Sequence, residues 1–197
     1  MKLNKSIPFL LLLLFSILSL ETNDRIAYAE SNDPSPPLEE VYTQIGFKTV
    51  QEAVSEFEKH FKKDVKLPLK VPSIPFTHMF GRFWEDKEYN VNDFLGIEFI
   101  NEKSPVNHYK IDIRPLKNKI IFKSRGHQTV YTLKDGQEAI YITERYSSLL
   151  VFEKDNWQYM LGINKGIANK VTPETLVEIA DSIDYVHKNN WGCPESQ

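Results

Sequence analysis

One cysteine stands in the whole chain, Cys193, close to its end. Neither an internal disulfide nor a Cys-based zinc site can form around it, so the fold has to hold by apolar packing. Histidines are scarce as well. His60, His78, His108, His127 and His187 are scattered without metal-ligand spacing and read as surface or boundary residues. No H-E-x-x-H, G-x-S-x-G, C-x-x-C or Walker loop occurs. Carboxylates are plentiful but none is placed against another across a recognisable cleft, and solvated faces are their default. The sequence therefore assigns no catalytic residue, no metal site and no cofactor, and reads as a non-enzyme. An excess of charge of one sign is also lacking, the formal net charge being −3. Nucleic-acid binders carry a strong basic excess, and so do surfaces drawn to anionic lipid, so neither partner is expected.

There is one long apolar run, and it is at the start. Lys2 and Lys5 precede Ile7–Leu20, and Ala27-Tyr28-Ala29 follows. This is the layout of a secretory signal peptide: basic region, apolar region, A-x-A cleavage site. As a helix the run reaches roughly 21 Å, short of the roughly 30 Å of bilayer hydrocarbon. Cleavage after Ala29 is the reading, with Ala27 and Ala29 in the cleavage region, and an uncleaved N-terminal anchor is the less favoured alternative. No cysteine stands directly behind the apolar run to carry a lipid. The expectation is a secreted or extracytoplasmic protein with no stable membrane span after cleavage. Loss of residues 1–29 removes three basic and two acidic side chains and takes the charge from −3 to −4, a mild acidity that favours solubility.

Residues 30–45 are polar and proline-rich and read as a flexible lead. A single domain is expected over 46–185, with a polar tail over 186–197. Thr49 and Glu52 form a capping box, and Ala53, Phe57 and either His60 or Phe61 follow at helical spacing, so a first helix is expected at about 50–63. His60 reads as a boundary residue of its last turn. Pro68, Pro72 and Pro75 forbid a helix through residues 65–76 and suggest an extended chain along the core. Residues 76–93 have no clear period and hold the densest aromatic cluster, including Phe80, Phe83, Trp84 and Tyr89. These four are the candidate recognition surface; loop aromatics capping the core are the other reading.

From Phe94 onward the period is two. Apolar runs at 95–99, 109–113, 120–122, 130–133, 139–143, 149–152 and 157–163 are separated by short turns, Asp135-Gly136 and Asp155-Asn156 among them. Ser124-Arg125-Gly126-His127 reads as a hairpin turn. Connections this short imply antiparallel pairing, since parallel strands need long crossovers. Thr172 as N-cap and Pro173 at the first helical position start a closing helix over 173–183, with Leu176, Val177, Ile179, Ala180 and Ile183 on its apolar face. The fold class is α+β: a mainly antiparallel sheet with an N-terminal and a C-terminal helix packed on it.

The stretch DGQEAIYITERYSSLLVFEKDNWQYMLGINKG and the later VTPETLVEIADSI carry a resemblance. Residues 130–183 resemble the DUF4367 family of Gram-positive exported lipoproteins and some membrane-bound regulators. The family's closing I-A-x-S-[IL] is matched by Ile179-Ala180-Asp181-Ser182-Ile183, while its Y-x-L-x-G is altered to Tyr159-Met160-Leu161-Gly162. The resemblance implies a mixed α+β fold related to curved sheets that hold apolar ligands, and it transfers no catalytic residue. The absent lipidation cysteine is a departure. The functional expectation is an exported, non-catalytic domain that binds an envelope protein or another cell-envelope component. The alternative is a carrier or sensor domain with a pocket for a small apolar or amphipathic molecule.

Overall fold

Alternation of apolar and polar side chains decides the architecture. The computed structural model describes residues 36–184 apart from Asn90, Ser124 and Arg125. The expected leader, the polar tail and Cys193 lie outside the described residues. Seven strands form one sheet: β1 (His78–Trp84), β2 (Phe94–Ile100), β3 (His108–Pro115), β4 (His127–Thr132), β5 (Glu138–Thr143), β6 (Ser147–Lys154) and β7 (Trp157–Asn164). Their spatial order is β1-β2-β3-β7-β6-β5-β4, and every neighbouring pair is antiparallel. The turn between β6 and β7 uses Asp155 and Asn156 at φ 50° and 67°, the left-handed pair that suits the twist of a tight hairpin.

Register builds the core. Leu95, Ile97 and Phe99 of β2 stand opposite Ile113, Ile111 and Tyr109 of β3. Those three face Tyr159, Leu161 and Ile163 of β7. All nine are buried. Two helices pack on this face. Helix α2 (Val50–Phe61) contributes Val50, Ala53 and Phe57, and helix α3 (Pro173–Ala180) contributes Leu176, Ile179 and Ala180, to one continuous core. The capping box of α2 is closed in both directions: Glu52 N–H donates to Thr49 Oγ1 at 3.3 Å, and Thr49 N–H donates to Glu52 Oε2 at 3.1 Å. Beneath the helix lies Gly81 of β1. A Cβ there would come within 2.8 Å of Ala53 Cβ and of the Val50 backbone, so only glycine lets helix and strand approach this closely.

The proline-rich segment 65–76 runs irregularly along the core, as its sequence requires. Partners elsewhere anchor it: Tyr159 Oη donates to Lys66 O at 3.0 Å, Lys70 N–H to Ser182 Oγ at 3.1 Å, and Asn101 Nδ2 to Pro75 O at 3.0 Å.

Several expectations are corrected. The stretch 30–45, read as a flexible lead, contains helix α1 (Leu38–Gln44). Its Tyr42 ring stacks on Phe80 at 4.4 Å, a tertiary contact that a seven-residue segment does not announce. Strand β1 occupies the first half of the region read as aperiodic. Met79 and Phe83 alternate with Phe80 and Trp84, so both faces are aromatic or apolar and the contrast that marks a strand is lost. Helix α2 stops at Phe61, because Lys62 turns left-handed at φ 51°. Helix α3 stops at Ala180 and tightens into a 3-10 turn over Asp181–Asp184. Ile120–Phe122 is not a strand. The segment containing it connects β3, in the middle of the sheet, to β4 at its edge, so Gly126-His127 does not belong to a hairpin turn.

Candidate functional site

The sheet face turned away from α2 and α3 has two halves. Across β1–β3 it is aromatic and charged. The Arg82 guanidinium carbon sits over Trp84, 3.3 Å from the ring centroid, Trp84 stacks on Phe94 at 5.8 Å, and Arg114 sits 4.9 Å from the Phe94 ring. Next to them runs a chain of charges: Glu98 is 3.4 Å from His108 and 3.8 Å from Lys110, and Lys110 is 3.3 Å from Asp112. Burial raises the Glu98 carboxyl, but the hydrogen bond from His108 and the Lys110 charge outweigh it and hold the group below the usual range. At Asp112 burial wins over Lys110, and that carboxyl is pushed up.

Across β5–β7 the same face is apolar. Ile142, Val151 and Met160 are buried there, with Phe122, Ile140 and Leu149 packed against them. The covering element is the extended strap 119–123, and its attachment is specific. Gln158, 3 % exposed, uses both ends of its amide on one residue: Nε2 donates to Ile120 O at 2.9 Å, and Oε1 accepts from Ile120 N–H at 2.8 Å. The Lys119–Glu153 ion pair at 2.8 Å and Gln128 Nε2 donating to Phe122 O at 2.6 Å add two further ties.

The strap leaves space on both sides. Between it and β5–β6 lies an open groove of about 630 Å³, with Ile140 and Val151 as floor, Ile120, Ile121 and Phe122 as one wall, and Lys119, Lys123, Gln137, Glu138 and Glu153 at the rim. A smaller groove of about 170 Å³ lies on the β3–β7 side, between Lys110, Asp112 and Gly162 and the same Ile120 and Phe122. The larger volume is within the range of small-molecule sites. An apolar floor with amide and charged edges suits a molecule with an apolar body and polar ends.

The four aromatics singled out in the sequence do not meet. Phe80 is buried beneath Tyr42. Phe83 points to the opposite face and packs on Phe57 at 5.6 Å. Trp84 is half-buried under Arg82, and Tyr89 is exposed in the β1–β2 connection, its N–H donating to Asp86 at 3.1 Å. His60 is an end-of-helix residue, set between Asp93 at 3.5 Å and Glu85 at 3.6 Å. Among the described residues no group of three or more His, Cys, Asp or Glu could hold a metal ion, and no helix is long and apolar enough to cross a membrane.

The groove residues Ile120, Phe122, Ile140, Val151 and Gln158 were not singled out in the sequence. A signal for them does exist. The runs Ala139–Ile142 and Leu149–Phe152 are apolar at consecutive positions, the mark of strands covered on both faces. Something beyond the two helices had to cover the second face. Comparison with models of protein families, with curated proteins and with solved structures gave no match.

Proposed function

We propose that the protein is an exported, non-catalytic binding domain and that its ligand, a cell-envelope component with an apolar body and polar ends, sits in the groove between strap 119–123 and β5–β6. The observation that carries this reading is the apolar floor of a groove of about 630 Å³, open to solvent and rimmed by amides and charges. Gln158 on Ile120 and Lys119 on Glu153 are engaged in holding the strap, which suits a built wall that holds a molecule. The volume favours a small amphipathic molecule over a folded protein partner.

The groove should bind the apolar fluorescent probe 1-anilinonaphthalene-8-sulfonate saturably, with near-UV circular dichroism unchanged, which separates a formed site from a loosened core. Ile140→Trp fills the floor without burying a charge. It should weaken the probe by about tenfold or more, equivalent to about 1.4 kcal/mol, while leaving the fold intact. A wild-type protein that fails to bind the probe saturably, or a folded variant that binds it equally well, would refute the assignment.

A further inference from the structure

We propose that the smaller groove, on the β3–β7 side of strap 119–123, is a separate site for a free α-amino acid with an apolar side chain. The inference does not depend on what occupies the larger groove.

Three charges of β3 share the outer face. Lys110, Asp112 and Arg114 stand there together, since alternate residues of a strand face the same way. They do not satisfy one another. Asp112 Oδ1 is buried and has no hydrogen-bond partner among the described residues, and Lys110 Nζ, 3.3 Å away, is out of line for a hydrogen bond. Arg114 is 6 % exposed, and its Nε is likewise buried without a partner. The guanidinium rests 4.9 Å from the Phe94 ring, which offers it attraction but no hydrogen-bond acceptor in the plane of its donors. Buried charged groups left short of hydrogen bonds are costly. Glu98, by contrast, has both His108 and Lys110 beside it.

The signs of these charges select the ligand. A simple amine would approach Asp112 between two cations, Lys110 and Arg114. A simple anion would meet the Asp112 carboxylate. A zwitterion avoids both conflicts: its ammonium donates to Asp112 and its carboxylate accepts from Lys110, each bond strengthened by charge. The rest of the groove is apolar. Lys110 stands opposite Gly162, and Asp112 opposite Met160. From this charged edge a space of about 170 Å³ extends over Met160, Gly162 and Leu149 to the strap residues Ile120 and Phe122. Glycine keeps that floor low, because a Cβ at Gly162 would come within 3.0 Å of Leu149 Cδ2. The volume is well below the roughly 300 Å³ at which sites for drug-sized molecules begin. Ammonium and carboxylate on one carbon, with a short hydrocarbon chain, match the charges, the floor and the size together.

Isothermal titration calorimetry of the protein with L-leucine should show saturable binding. N-acetyl-L-leucine lacks the cation and L-leucine methyl ester lacks the anion, and each should bind about tenfold more weakly or worse. Asp112→Asn keeps the side chain's shape and removes its charge. It should weaken L-leucine by about tenfold or more, with near-UV circular dichroism and uptake of 1-anilinonaphthalene-8-sulfonate unchanged. Lys110→Gln, at a more exposed side chain, should weaken it as well and gives a second reading if Asp112→Asn lowers stability. Ile140→Trp fills the larger groove only and should bind L-leucine as wild type does, so failure of one site is read separately from failure of the other. A purely structural role for Asp112 predicts a destabilised Asp112→Asn and no binding of L-leucine by wild type. That result would overturn the proposal, as would equal binding of the acetylated or esterified form, loss of L-leucine in Ile140→Trp, or folded charge variants that bind it as wild type does.

Discussion

Trp157→Ala should lower the free energy of unfolding by about 3–5 kcal/mol, the cost of deleting a large buried aromatic. Trp157 begins β7 and is 2 % exposed. Its ring lies 4.9 Å from Phe57 and 5.5 Å from Phe61, so it is where the sheet grips α2. Its indole Nε1 also donates to Asp64 O at 3.2 Å, which fixes the chain as it leaves the helix and enters the proline-rich segment. Truncation removes the packing, opens a cavity and takes away the donor to that carbonyl. Trp157→Phe keeps most of the ring contact and should recover most of the loss. Urea unfolding of the three proteins measures both steps, and an alanine variant within about 0.5 kcal/mol of wild type, the span of ordinary surface changes, would contradict the packing described.

Leu176→Ala is expected to cost about 2–5 kcal/mol at the other end of the core. Leu176 is fully buried, in the second turn of α3, between the capped start at Thr172 and the 3-10 turn that follows Ala180. Only eight residues long, α3 has little stability of its own, since short helices are marginal without tertiary packing. Its hold on the sheet rests on Leu176, Ile179 and Ile183. The same segment carries Ser182, which accepts from Lys70 N–H at 3.1 Å, so loosening α3 should also release residues 65–76 to proteolysis. A loss below about 0.5 kcal/mol in urea would mean that α3 does not close this core.

The fold was legible where one face of an element is wet. Tyr109, Ile111 and Ile113 alternate with Lys110, Asp112 and Arg114, and the strand follows directly. The capping box at Thr49 and the Thr172-Pro173 start place both helix origins at the right residue, because each is a local arrangement of side chain and amide. What was hidden depends on contacts between distant segments. Strand β1 has apolar and aromatic residues on both faces because α2 covers one and α1 the other. Helix α1 looks like a flexible lead because it is only seven residues long and follows a proline-rich stretch, whereas the groups that tie it down, Phe80 under Tyr42 and His78 beside Glu39, lie far along the chain.

The candidate site was less legible for the same reason. Aromatic density drew attention to residues 80–89, but density in sequence is not proximity in space. Successive residues of a strand face opposite ways, and Phe83 and Trp84 end on opposite sides of the sheet. The groove depends on strap 119–123 crossing strands that follow it in the chain, and on Gln158 reaching Ile120 from 38 residues away. Neither pairing leaves a local pattern. The sheet order places β7 beside β3, and that long-range choice creates the crossing.

Native mass spectrometry of the protein purified from its own host, beside Ile140→Trp purified in the same way, tests the groove assignment most directly. The wild type should carry an added mass of small-molecule size, released by organic solvent and extracted as an amphipathic compound, and the folded variant should lack it. A wild type without bound mass, which also fails to take up apolar envelope extracts, or a variant that retains the same mass as wild type, would contradict the account.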